Sequence, residues 1–137
     1  MANYCATART NYFNVRDIDA FHLAMASVPD IHIDSRTTGG TQSCALFCQG
    51  DAGWPSEQYT DDPLEDAEAI DLPGLVAEHL ADGSVAVFLE SGNEGLRFID
   101  GRATAVDACG GRIDLGLHGI FALAAQQLRG EAQNEWG

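Results

Sequence analysis

Along the first part of the chain the side chains alternate with a period near two. In Cys5-Ala-Thr-Ala-Arg-Thr-Asn-Tyr-Phe-Asn-Val15, Asn11, Phe13 and Val15 fall on one parity and Thr10, Tyr12 and Asn14 on the other, which predicts a strand. The period then lengthens. Ile18, Phe21, Met25 and Val28 share one helical face, Asp17 stands at an N-cap position and Pro29 follows the last turn, so a helix is predicted from residue 17 to about 28. A short strand at 31–33, a turn at 36–41 and a further strand at 43–48 come next. Residues 50–66 predict an irregular loop that Trp54 fastens to the body, with 69–71 extending it as a short strand. Residues 72–81 return to helical spacing through Leu72, Leu75, Val76 and Leu80, with Asp71 as cap, Pro73 in the first turn and Gly83 as the stop. Residues 84–90 then predict a strand, 91–94 a turn, 96–106 one long strand or two short ones, and Gly110-Gly111 a turn into a last strand at 112–115. A final helix over about 117–129 carries Ile120, Phe121, Leu123, Ala124 and Leu128, and residues 130–137 are expected to fray.

The order β-α-β-β-(acidic loop)-α-β-β-β-α predicts an α+β fold, with a mainly antiparallel sheet covered by helices on one side. At 137 residues, with 45% apolar and 20% charged positions, one domain over 1–137 is expected, with enough core to need no disulfide. Cys5, Cys44, Cys48 and Cys109 follow no secretory signal and no stretch reaches membrane-spanning length, so a reducing cytoplasm is the expected compartment.

Charge changes this picture most. Twenty-one Asp and Glu face seven Arg and no Lys, giving a formal charge of −14, which opposes direct binding to nucleic acid or anionic membranes. Twelve of those acids lie between Thr37 and Leu96, a stretch with no Arg. Seven of the twelve fall between Glu57 and Asp71, and the cost of burying unpaired carboxylates places them on the surface. The candidate interface is therefore Asp51, Trp54, Glu57, Tyr59, Asp61, Asp62, Glu65, Asp66, Glu68 and Asp71, with the two aromatics as anchors. Its expected partner is a basic protein.

Other chemistry is poorly supported. Cys44 and Cys48 fall on one face of a strand about 13 Å apart, too far to share a zinc ion, and read as small buried hydrophobes. Gly39-Gly40 and Gly110-Gly111 fit neither G-x-G-x-x-G nor a P-loop. His22, His32, His79 and His118 are expected to play surface or capping parts, and no nucleophile elbow is present. No catalytic residue, cofactor or metal is expected.

The opening run Cys5-Ala-Thr-Ala-Arg-Thr-Asn-Tyr-Phe-Asn-Val-Arg-Asp17, with Ala20-Phe21 after it, resembles a family of small acidic bacterial proteins carried on plasmids, integrative elements and phages. The run there looks like T-A-R-T-N-Y-F-R-V-K-D. Gly53-Trp-Pro-Ser56, His79-Leu-Ala-Asp-Gly-Ser-Val-Ala-Val87 and Leu96-Arg-Phe98 also look like family positions, while Asn14 and Arg16 depart from the usual Arg and Lys. The resemblance implies a mobile-element context. Such elements carry small acidic proteins that block host defence, anti-CRISPR and anti-restriction proteins among them, some of which imitate DNA in charge. The expected function is a non-enzymatic inhibitor of a nucleic-acid-binding defence complex. The alternatives are an immunity or antitoxin-type protein that caps a basic toxin nuclease, and a housekeeping protein of the element whose charge serves solubility.

Overall fold

The structure is a computed structural model that describes residues 4–58, 68–95 and 98–130. The predicted first strand is broken into β1 (Cys5–Thr10) and β2 (Phe13–Asn14). At the break Asn11 turns outward, donating through Nδ2 to the Val85 carbonyl and accepting from the Val87 N–H, so the ladder is completed by an amide side chain. The buried Thr10 hydroxyl accepts the Leu46 N–H at 2.9 Å.

Helix α1 (Ile18–Met25) starts where the spacing predicts. The Asp17 carboxylate accepts the N–H groups of Asp19 and Ala20, and Phe21 and Met25 are buried. β3 (Ile31–Thr38) and β4 (Thr41–Cys48) form one long hairpin, so Arg36–Thr38 belongs to a strand and not to the predicted turn. The reversal is confined to Gly39 and Gly40, both at positive φ, the conformation a two-residue hairpin requires. After a short ladder of β5 (Glu57–Gln58) on β6 (Glu68–Ala69) comes α2 (Leu72–Ala77), which ends four residues earlier than predicted.

β7 (Val85–Asn93), β8 (Ile99–Asp107) and β9 (Arg112–Gly116) make the meander, and α3 (Gly119–Gln127) ends the described chain. The predicted turn at 91–94 is corrected: Ser91, Gly92 and Asn93 continue β7. The reason is pairing on both sides, with Thr7, Ala6 and Cys5 of β1 and with Gly101, Asp100 and Ile99 of β8, and the Tyr4 ring lies so close over Gly92 that a Cβ there would collide with it.

All pairings within the main sheet are antiparallel, in the order β3-β4-β1-β7-β8-β9, with β2 beside β4 in line with β1. The fold is thus α+β, mainly an antiparallel sheet. Even-numbered residues of β7 and β8, such as Ala86, Phe88 and Val106, face α1 and α2 and close the core with Phe13, Phe21, Leu46, Leu72, Val76 and Leu80. The expectation that helices cover one side fails at α3. Leu117, just before it, reaches Gly101 on the opposite face, and no residue of α3 is buried. Among the described residues, no helix is long and apolar enough to cross a membrane.

Candidate functional site

The acidic segment leaves the body through a sequence of fastenings. The Asp51 side chain is exposed, while its backbone carbonyl accepts the Ala6 N–H at 2.7 Å and Ala52 bridges Ala6 in parallel. The Cys48 thiol donates to the Gly53 carbonyl at 3.0 Å. The Trp54 ring is turned inward, edge-on to Phe88 with centroids 5.3 Å apart, as its predicted fastening role requires. Its backbone N–H donates to Glu90 Oε1 at 2.9 Å, and the Tyr4 hydroxyl donates to Glu90 Oε2 at 2.9 Å. Glu90 therefore ties the N-terminus to the root of the acidic segment, and is half-buried rather than part of a solvated face.

The far end of the segment is closed as firmly. Glu57 pairs with Ala69 and Gln58 with Glu68, and the Ile70 N–H donates to the Ser56 carbonyl at 2.8 Å. Tyr59, Asp61, Asp62, Glu65 and Asp66 lie outside the described residues, and Glu57 and Glu68 are described by their backbone pairing. The closed ladder nevertheless fixes the two points from which the connection 59–67 departs.

Asp71 departs from its predicted role. It occupies the N-cap position of α2, yet its carboxylate makes no side-chain cap. Both oxygens accept instead from Arg112 Nη1, at 3.0 and 2.8 Å, and Arg112 Nε reaches Asp114 at 3.3 Å. A cation from the end of the meander is thus brought onto an acid of the Arg-free stretch, 41 residues away in sequence. The Asp114 carboxyl is held below the usual carboxylate range, first by the Thr104 hydroxyl and then by Arg112. Arg102 is answered by the buried Asp100 at 2.8 Å. Among the described residues, Glu90 is half-buried and committed to contacts inside the fold, Asp71 pairs with Arg112 at the surface with its side chain 59% exposed, and Asp51, Glu78, Asp82 and Glu94 are exposed as well.

A cleft of about 330 Å³ lies between the meander and the root of the segment, lined in part by Trp54, Asp71, Phe88, Glu90, Arg102 and Arg112. The Trp54 Nε1 hydrogen is buried there without a partner among the described residues. Both guanidinium groups already face carboxylates, so the cleft combines balanced charge with an aromatic wall. The four cysteines are free thiols, and burial pushes the Cys44 and Cys48 thiols above the ordinary range. Among the described residues no three His, Cys, Asp or Glu side chains gather closely enough to hold a metal ion. His79 packs on Phe21, and His118 stacks on Phe98 with centroids 5.5 Å apart; His118 stands at the start of α3 without capping it.

No sequence signal local to Arg112 or Tyr4 marks them as part of this site. Glu90 does carry one: it shares the inward parity of Ala86 and Phe88, and a carboxylate on the apolar side of a strand implies partners. No family model, curated protein or solved structure matches the chain.

Tyr4 provides a direct check on the fastening. Burial, and then the hydrogen bond to Glu90 and its charge, push the Tyr4 hydroxyl from 10.0 up to about 12. The folded state thus holds a proton that the unfolded chain releases first. This contribution is complete below pH 10 and is lost as the pH rises from there through about 12. Thermal melts of wild type and Tyr4→Phe across that interval should show the steeper decline in wild type. Tyr12, Cys44 and Cys48 titrate in both proteins and cancel in the difference; parallel declines would remove Tyr4 from the fastening.

Proposed function

We propose that the chain is a non-enzymatic inhibitor, acting in the bacterial cytoplasm, whose acidic segment occupies the nucleic-acid-binding surface of a host defence complex of the anti-CRISPR or anti-restriction kind. The observation that carries this reading is the distribution of charge: twelve acids and no Arg between residues 37 and 96, seven of them from Glu57 to Asp71. The fastened root adds a physical reason. A charged segment closed by the β5–β6 ladder and anchored through Trp54 and Glu90 loses less entropy on docking than a free tail. Carboxylates then stand where phosphates stand in the complex that is blocked, on Lys and Arg of the partner.

The test is an affinity capture from host extract on the immobilised full chain. Retained proteins should be basic nucleic-acid binders, released by raising the salt and displaced by duplex DNA or by guide RNA. If no basic protein is held at low salt, the proposal fails.

A further inference from the structure

The face of the sheet opposite α1 and α2 is open. Cross-strand register sets Arg9, Leu89, Ala103 and Leu115 in one row and Val87, Ala105 and Ile113 in the next. α3 stands beside these rows and leaves a groove of about 950 Å³ between helix and sheet, with Leu115 on its sheet side and Leu117, Ile120 and Leu123 along its α3 side. All four of these side chains are exposed, as is Ile113, which is 72% exposed. α3 has no charged residue among its nine positions, although the chain carries −14. A helix apolar on several sides belongs in an interior.

β9 borders this face and, among the described residues, is an edge strand of the sheet, as β3 is at the other end; it is exposed at all five residues. Natural edges are blunted by charged side chains, Pro or bulges. β9 has no Pro and no bulge, and its two charges, Arg112 and Asp114 in Arg112-Ile-Asp-Leu-Gly116, are of opposite sign, so those of a second copy can complement them.

From this edge and groove we infer that the chain forms a two-fold dimer, with β9 of one copy pairing antiparallel with β9 of a second and the two α3 helices covering the joint apolar face. The register follows from charge. A two-fold axis at Asp114 sets two carboxylates face to face, whereas an axis at Ile113 sets Arg112 of each copy opposite Asp114 of the other and brings the two Ile113 side chains together. The hydrogen bonds agree. Leu117 N–H bonds Gly101 and Asp107 N–H bonds Gly111, so on alternation the odd-numbered residues of β9 face β8, and Arg112, Asp114 and Gly116 offer their backbone groups outward. Arg112 holds Asp71 with Nη1 and Asp114 with Nε, which leaves Nη2 outside the described contacts. The two rows of the open face carry Arg9 and no acid, so two copies repel least when they approach there.

Sedimentation equilibrium on the wild-type chain over about 1 to 200 µM tests this, since dimerisation follows mass action. The expected mass is twice 14.6 kDa. Ile113→Lys puts like charges on the axis and should weaken the dimer by at least ~30-fold. Leu123→Lys, on a helix with no buried residue, should also weaken it and leaves the core intact should the strand variant fail to fold. Asp114→Arg alone should weaken the dimer, and its combination with Arg112→Asp should restore it, because opposite charges again face each other in this register. Because two −14 chains repel, the dimer should tighten as salt is raised. A wild-type chain that remains at 14.6 kDa throughout, or a dimer indifferent to Ile113→Lys and Leu123→Lys, overturns the proposal.

Discussion

Phe21→Ala is expected to destabilise the protein by about 3–5 kcal/mol, the cost of removing a large aromatic side chain from a core that cannot fully collapse behind it. Phe21 is fully buried. Its ring meets Phe13 edge-on at 5.8 Å and His79 at 5.8 Å, so one side chain joins β2, α1 and the end of α2. Against a total stability of about 5–15 kcal/mol, such a loss is a large share and should lower the melting temperature by roughly 10–20 °C for a chain of this size. Leu23, two residues on, is 79% exposed on the same helix, and Leu23→Ala should move stability by no more than about 0.5 kcal/mol. Urea denaturation of the two variants beside wild type checks both. Similar midpoints for the pair would mean that α1 does not pack through the face containing Phe21.

That face was legible in the sequence because everything that specifies it is local. Asp17 caps, Phe21 and Met25 recur at helical spacing, and Pro29 follows the end, and these cues act within a dozen residues. The strands of the meander were legible as apolar runs, and the Gly110-Gly111 turn between the last two was read correctly, while the turn expected at 91–94 was not found. What the sequence hid depends on distant partners. Gly92 reads as a turn residue until Tyr4 is laid across it, and Asp71 reads as a cap until β9 brings Arg112 alongside. α3 is the sharpest case. Its apolar residues predict a helix that covers the sheet, and none of them is buried. Apolar spacing predicts a helix without specifying the surface it meets.

The candidate site divides along the same line. Trp54 was readable as the pin of the acidic segment, although the same residue also read as an interface anchor, and its ring is turned inward onto Phe88. Glu90 and Tyr4, which hold the backbone of that pin, are connected to it through a register no short motif encodes. The two proposals differ in the response to salt that they predict. Docking of the acidic segment on a basic partner should weaken as salt rises, while pairing of two anionic copies through the apolar groove should tighten. One titration with salt therefore separates the partner interface from the proposed joint between copies.

Reversal of Asp61, Asp62, Glu65 and Asp66 to Lys is expected to abolish capture of the basic partner. These four are chosen because Glu90 holds Tyr4 and Trp54 and Asp71 pairs with Arg112, so reversing either would mix lost internal contacts with lost binding. Each reversal shifts the charge by two units, and the four together take the chain from −14 to −6. Charge-assisted contacts to a desolvated basic surface carry about 1.5–3 kcal/mol each, so converting even two such contacts to repulsion should weaken binding by at least ~100-fold. The slope of log affinity against log salt should flatten in the same variant, because fewer ions are exchanged on docking. A melting temperature within a few degrees of wild type would show the fold intact, and relief of repulsion among acids could raise it slightly. Calorimetry or surface plasmon resonance against the captured partner at two salt concentrations measures both quantities. Unchanged affinity with unchanged salt slope would show that the segment from Glu57 to Asp71 is not the docking face.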